Sequence, residues 1–300
     1  MPAFFLNIRY RFDSSTRIFI PFLTQKQINM RKLAICLIAS AAVFAIACKK
    51  QTANTATEQP AAISSETLAK IKALGFSTQN VHTTNEGYLV EDDIVLTDAL
   101  LNSVNDQQLL RIANTEQYRT TNLVSGLPRV IKIKVTNLGT AYVSGADLAI
   151  SRYNALGLQI TFQRITSGTA NINITGFNQG PSGGFITLGS SGFPSGGNPY
   201  NSIQMNTNAA AYGSNPNVNY VGSVIQHEIG HCIGMRHTDY MNRSYSCGGS
   251  AVNEGASGVG AILIPGTPSG PDANSWMLAC SNGGNRTFNA NDVIALNYLY

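Results

Sequence analysis

Four side chains in one eleven-residue stretch, His227, Glu228, His231 and His237, stand at spacings that suit hydrolysis at a metal ion. Residues four apart on a helix project from one face, so the imidazoles of His227 and His231 can grip a single cation. Glu228 follows the first ligand, too short and differently aimed to join it, but placed to take a proton from an activated water. Gly234 lets the chain leave the helix through backbone angles that a side chain opposes, and that turn returns His237 as a third ligand. Three neutral nitrogens leave one tetrahedral position open. That is the arrangement of a catalytic zinc, whereas a structural zinc takes four protein ligands. A bare H-E-x-x-H recurs by coincidence, but the added Gly and third His at fixed offsets do not. The remaining histidine of the four in the chain, His82, lies in a polar loop where exposure is expected.

The elements that must position these groups are legible from periodicity. Asn215-Pro216-Asn217 supplies turn chemistry and a candidate cap, and Val218, Val221, Ile225, Ile229 and Cys232 recur at helical spacing on the side away from the histidines. Gly222 and Gly230 lower the helix propensity of this segment, so packing must hold it. Upstream, residues 129–135 alternate apolar and charged and read as a strand. Residues 141–156 form an amphipathic helix, and further strands are expected over 158–162, 172–175, 184–188 and 202–205. The strand 184–188 is expected at the sheet edge beside the cleft, where it pairs with an extended peptide, and the Gly- and Ser-rich stretch 190–197 forms its lip. Residues 239–271 are loop-rich, and a helix over about 291–298 closes the chain.

The pattern His227-Glu228-x-x-His231-x-x-Gly234-x-x-His237 resembles the metzincin clan of zinc endopeptidases. Its wording from Gln226 to Asp239 is closer still to the bacterial HEIGH-type metallopeptidases, relatives of the astacins. The resemblance covers about residues 66–300. It implies an α+β zincin-like fold: a mixed, twisted five-stranded sheet, an active-site helix carrying zinc, and a loop-rich C-terminal subdomain ending in a helix. It also implies a tight turn with a methionine beneath the metal, which Met277 in Ser275-Trp276-Met277 suits. Two positions depart from the astacin pattern. Thr238 stands where a Glu follows the third histidine, and Ala279 stands where a Tyr approaches the metal. A phenol assisting catalysis would therefore come from elsewhere, with Tyr240 and Tyr245 as candidates.

The first 48 residues belong to processing. Residues 1–29 read as an over-extended start, because Met30-Arg31-Lys32 followed by a fifteen-residue apolar run has the form of a secretory signal. Small residues before Cys48 resemble a bacterial lipoprotein processing site, making Cys48 the acylated first residue, with ordinary signal cleavage nearby as the alternative. The expected location is outside the bacterial cytoplasm, anchored to the membrane by lipid alone or else secreted. The whole chain has a net charge of +4, but the first 50 residues hold eight Lys/Arg against one Asp. The apparent basicity is therefore that of the signal, and no basic patch or recognised module argues for nucleic acid. Export permits a disulfide, and Cys247 and Cys280, which bracket the loop between His237 and the methionine turn, are expected to pair, while Cys232 stays a buried thiol.

Residues 49–62 read as a tether, 63–116 as a pro-segment and 117–300 as the catalytic domain. Within 63–116, residues 65–75 form a short helix, 87–96 a strand-like stretch and 98–112 a second helix. Residues 51–116 carry three Lys/Arg and nine Asp/Glu, and 117–300 carry nine and six, so opposite charges favour docking of one on the other. Val90-Glu91-Asp92-Asp93-Ile94 resembles the Phe-Glu-Gly-Asp stretch of astacin propeptides, whose aspartate blocks the zinc. Carried across, Asp93 is the blocking residue, with Asp92 in the place of glycine as a competitor. Arg111 and Arg119 are candidate activation sites.

The expectation is a monomeric zinc endopeptidase acting on proteins or peptides, made as a precursor, with Glu228 as base. Two alternatives remain: a surface-anchored binding lipoprotein with a structural zinc, and a zinc hydrolase of a non-peptide amide.

Overall fold

The computed structural model describes residues 62–103, 117–255, 258–268 and 270–300, all inside one compact unit spanning 60–300. The expected signal with Cys48, the start over 1–29, all of the tether but residue 62, and Arg111 with the later part of the 98–112 helix lie outside the described residues. No helix among the described residues is long and apolar enough to cross a membrane.

The N-terminal segment begins with α1 (Ser65–Ala73), whose cap Ser64 accepts a hydrogen bond from the Thr67 amide. Strands β1 (His82–Thr84), β2 (Gly87–Val90) and β3 (Ile94–Leu96) follow, and then α2 (Asp98–Asn102) capped by Thr97. The continuous strand expected over 87–96 is instead a hairpin. Glu91 and Asp92 both adopt left-handed backbone angles, φ 56° and 71°, and reverse the chain so that Val90 pairs with Ile94. Asp93 therefore sits at the hairpin tip.

Beyond residue 117 come β4 (Tyr118–Arg119), β5 (Arg129–Val135), α3 (Thr140–Asn154), β6 (Ile160–Ile165), β7 (Ile172–Phe177), β8 (Gly189–Ser191) and β9 (Ser202–Asn206). After them run α4 (Ala209–Tyr212), α5 (Val218–Cys232), α6 (Ser244–Cys247), β10 (Ile262–Leu263) and α7 (Ala290–Leu299). β4 and β10 pair with each other. The main sheet is mixed, in the order β1-β2-β3-β8-β9-β7-β5-β6. Five of its strands follow residue 117, as expected for the zincin-like domain. The other three belong to the N-terminal segment, which joins the sheet where Ile94 pairs in parallel with Ser191, giving eight strands in all.

Inward residues of β5, β6, β7 and β9 (Ile131, Ile133, Ile160, Ile174, Ile203) share one core with Tyr142, Ala146 and Ala149 of α3 and Val221, Ile225, Ile229 and Cys232 of α5. Val218 drops out of the expected stripe and is exposed. The two helices touch through glycines: a Cβ on Gly222 would lie 3.1 Å from the Gly145 carbonyl oxygen, so the residue that weakens the isolated helix allows its close packing. A second apolar cluster joins Ile71, Leu74, Phe76, Val90, Ile94, Leu96 and Leu101 of the N-terminal segment to Phe193 and Val259.

The strand expected over 184–188 is displaced to β8, because residues 182–185 close a tight bridge instead, with Gly183 and Gly184 at φ 60° and 88°. The expected lip thus starts inside the sheet, with Ser190 and Ser191 buried. The C-terminal region is loop-rich as expected, joined by a Cys247–Cys280 disulfide, while Cys232 is a free buried thiol. α7 closes the chain behind a capping box formed by Asn289 and Asp292.

Candidate metal centre

Helix α5 starts at Asn217, whose side chain accepts from the amides of Asn219 and Tyr220, and it carries His227, Glu228 and His231 in its last turns. Gly234 then takes φ 105°, and a Cβ there would stand 3.0 Å from the Asn122 carbonyl oxygen, so the turn needs glycine on two counts. The chain returns along residues 118–120: the Arg236 amide donates to the Tyr118 oxygen and the Thr120 amide to the Gly234 oxygen, at 2.9 and 2.7 Å. This bracing delivers His237 to the histidines of the helix.

The three imidazoles converge with Asp93. His231 Nε2 and His237 Nε2 are 3.2 Å apart, and Asp93 Oδ2 lies 2.9 Å from His237 Nε2 and 3.6 Å from His227 Nε2. Corners of a tetrahedron around zinc with bonds of about 2.0–2.1 Å are separated by roughly 3.3 Å, so these spacings match its edges. All four ligand atoms lie within 4.8 Å of one another. The tautomers agree. His227 Nδ1 faces the Trp276 carbonyl oxygen and His231 Nδ1 the Met235 carbonyl oxygen, each at 2.9 Å, and His237 Nδ1 faces Glu254 Oε1 at 2.6 Å. These oxygens only accept, so every Nδ1 donates and every Nε2 faces inward, with a lone pair to offer a cation when its ring is neutral. Asp93 Oδ1 is buried without a partner. Inward lone pairs, a carboxylate and a buried unpaired oxygen are a donor set that fits a divalent cation.

The electrostatics follow from burial. Burial opposes ionisation of Asp93, yet His237, with His227 and His231, holds its carboxyl well below the usual carboxylate range. Burial, reinforced by the charges of His227 and His237, pushes the His231 imidazole well below the ordinary histidine range. His237 goes the other way: burial lowers it, but Asp93 and Glu254 outweigh that and raise it. Glu228, 1% exposed, is raised well above the usual value by burial and by the nearby Asp93 charge. Its Oε2 accepts the Ser191 hydroxyl at 2.7 Å.

Met277 is buried against α5: a Cβ on Gly230 would come within 2.5 Å of its sulfur, so only glycine admits the methionine there. Thr238, in place of the astacin Glu, ties the same turn down. Its amide donates to the Met277 oxygen at 2.8 Å and its hydroxyl meets Ser275 Oγ at 2.7 Å. His82 is exposed and is not one of the clustered ligands. Tyr240 is buried edge-on to Tyr118, Tyr245 is exposed, and neither lines the cleft, whose tyrosine is Tyr220. Asp92 lines the cleft wall with its carboxylate 3.7 Å from Arg243 Nη2 and outside the ligand cluster, so Asp93, not Asp92, reaches the histidines.

The cleft, a cavity of about 400 Å³, runs past His227 and Glu228 between residues 184–189 and Val224, Trp276, Leu278 and Ala279. Three partners of the site escaped sequence reasoning: Ser191, Glu254 and Glu86. Glu86 accepts from Tyr200 Oη, Ser202 Oγ and Gln204 Nε2 at 2.8, 2.6 and 3.0 Å and fastens the β1–β2 turn to β9. For Glu254 a signal existed, since residues 117–300 contain only six acidic side chains and each one is worth placing.

No curated protein matches the chain. Similar solved structures include two of myroilysin. One shares 16% identity at a TM-score of 0.40 and covers 61% of this chain and 96% of its own. The other shares 18% at 0.36 and covers 59% and 86%. Residues 88–300, a span that holds the whole histidine cluster together with Asp93, match the dual-action HEIGH metallo-peptidases, and the chain belongs to that family of metallopeptidases.

Proposed function

We propose that this metallopeptidase is a zinc-dependent endopeptidase made as a latent precursor. The observation that carries the reading is the convergence of three inward-facing Nε2 atoms beside a buried carboxylate. His227, His231 and His237 would hold the ion, a set of three imidazoles that suits zinc. When bound, zinc polarises a carbonyl oxygen and lowers the pKa of water toward neutrality. Glu228, fixed by the Ser191 hydroxyl, takes the proton of the attacking water and passes it to the leaving amine. Met277 packs under the site and takes no part in ligation.

Latency rests on two features of the N-terminal segment. Asp93 Oδ2 stands at a fourth corner of the ligand set, where a water molecule has to enter. β3 also covers the edge of β8 that an extended substrate would pair with. Gln117 is fully buried and donates to Asp292 and Ser275, and Arg119 lies in a paired strand, so the activating cut falls upstream of residue 117. Export is supported by the Cys247–Cys280 disulfide, which needs an oxidising compartment, and the lipid anchor at Cys48 rests on the small residues that precede it in the sequence.

One observation favours a second reading. With Asp93 the site has four protein ligands, as a closed structural zinc does, and a surface-anchored binding protein would leave it closed. Metal analysis and a peptidase assay before and after removal of the N-terminal segment separate the two. The proposal expects about one zinc per chain and activity only after removal. Glu228→Ala should keep the zinc and lose cleavage of casein. Zinc-loaded, trimmed protein without peptidase activity supports the structural reading.

A further inference from the structure

His237 differs from the other two imidazoles in what its outer nitrogen faces. His227 and His231 donate from Nδ1 to neutral backbone carbonyls, whereas His237 donates to a carboxylate, at the shorter distance of 2.6 Å. Glu254 and His237 are both fully buried, so the contact is shielded from bulk solvent. The carboxylate is held from both sides. Arg236 Nη2 lies 3.3 Å from Oε2, Arg243 Nε lies 3.3 Å from Oε1, and the Glu254 amide donates to the Tyr240 oxygen at 2.7 Å. Arg236 is itself fixed by the Gly260 carbonyl and by the Phe76 ring, 4.8 Å from the guanidinium carbon. A carboxylate braced this thoroughly has one geometry to offer the imidazole. Glu91 and Glu254 with His237 Nδ1 also bring ligand atoms close together, but the two guanidiniums already supply positive charge there, which assigns Glu254 to hydrogen bonding and not to a second ion.

We propose that Glu254 is a positioning residue for the metal centre, drawing the Nδ1 proton of His237 toward its carboxylate so that His237 Nε2 becomes the strongest of the three donors and the ion is held tightly. The inference rests on the zinc reading above. A carboxylate that accepts from a ligating histidine fixes the ring and raises its basicity, and loss of such a partner costs about 10–100-fold in metal affinity. Glu254 lies seventeen residues beyond His237, in the loop-rich region, and acts on the ion only through that ring.

The test uses the full chain and the metals alone. Zinc affinity is measured by competition with a chromophoric chelator, and cobalt(II) is loaded to read its visible absorption. Folding of each variant is checked by circular dichroism. Glu254→Gln, which keeps size and an acceptor but not the charge, should bind zinc about tenfold more weakly and alter the cobalt spectrum, and Glu254→Ala should lose about 100-fold. A folded Glu254→Gln with unchanged affinity and an unchanged cobalt spectrum overturns the inference. Should neither variant fold, the wild-type protein decides by NMR. With zinc bound, the Nδ1 proton of His237 should resonate furthest downfield of the three, as a charge-assisted donor does, and equal shifts refute the proposal. Wild-type protein that takes up neither metal defeats the zinc reading itself, a different outcome from wild type that binds and Glu254→Gln that matches it.

Discussion

Ser191 touches both halves of the site: its hydroxyl donates to Glu228 Oε2 at 2.7 Å while its amide donates to the Asp93 carbonyl oxygen at 2.9 Å. One residue on the short β8 thus steadies the proposed base and anchors the segment that covers it. Ser191→Ala should leave Glu228 without its hydroxyl partner. Steady-state kinetics of the trimmed protein should give a kcat lowered about tenfold, or about 1.4 kcal/mol of barrier, with KM little changed. An unaltered kcat would mean that the hydroxyl does nothing for the base.

Asp93→Ala tests latency in the uncut chain. The substitution removes the carboxylate oxygen that faces His237 Nε2 and leaves the three imidazoles in place. A fluorogenic peptide assay on the intact precursor should rise at least about tenfold, the range set by a 1.4 kcal/mol change in the population of the open site. Equal activity of mutant and parent would locate the block elsewhere.

Glu86→Ala removes the acceptor of three hydrogen bonds from Tyr200, Ser202 and Gln204. Charge-assisted bonds in a half-buried place contribute about 1–3 kcal/mol in total after competition with water. Hydrogen exchange across residues 82–96 should accelerate by one to two orders of magnitude, while exchange in β5 and β7 stays slow. Uniform acceleration would indicate general destabilisation instead of local release.

Asp292 supplies the pH dependence. Burial lifts its carboxyl from 3.8 to about 7, against the pull of the Asn289 amide, Ser275 hydroxyl and Trp276 amide. Between those two values the native chain keeps the proton and the unfolded chain has lost it. Raising the pH therefore favours unfolding, and this contribution to stability is present below about 4 and gone above about 7. Urea unfolding at several pH values should show the decline in wild type, and the stability of wild type relative to Asp292→Asn should fall from acid to neutral pH. A difference independent of pH would place the titration in another group.

The chemistry was legible in the sequence because it is local. The four-residue offset of His227 and His231, the glycine at 234 and the capping turn over 215–217 are consequences of helix geometry that no distant contact can change. The strands of the central sheet were legible for the same reason: their alternation reports which side faces the core. What was lost depends on partners far along the chain. The stretch 87–96 reads as one strand unless the left-handed angles at Glu91 and Asp92 are known, and these are stabilised where Ser77 donates to Glu91 and Arg243 to the Glu91 carbonyl. The edge strand moved from 184–188 to 189–191 because the turn at Gly183 and Gly184 consumed the residues that looked extended. Glu254 and Ser191 lie in segments without periodicity, and only the folded chain brings them to His237 and Glu228.

The second apolar cluster joins Ile71, Leu74, Phe76, Val90, Ile94, Leu96 and Leu101 to Phe193 and Val259, and a single cut between Leu101 and residue 117 would leave all its members on two pieces that still touch. A severed leader would stay clamped as a non-covalent inhibitor, seated by grease and by the Glu86 contacts. Turnover would begin only when that fragment is digested or drifts away. The delay between nicking and activity is thus set by the off-rate of a folded hairpin, a first-order step that dilution leaves unchanged, although dilution hinders rebinding.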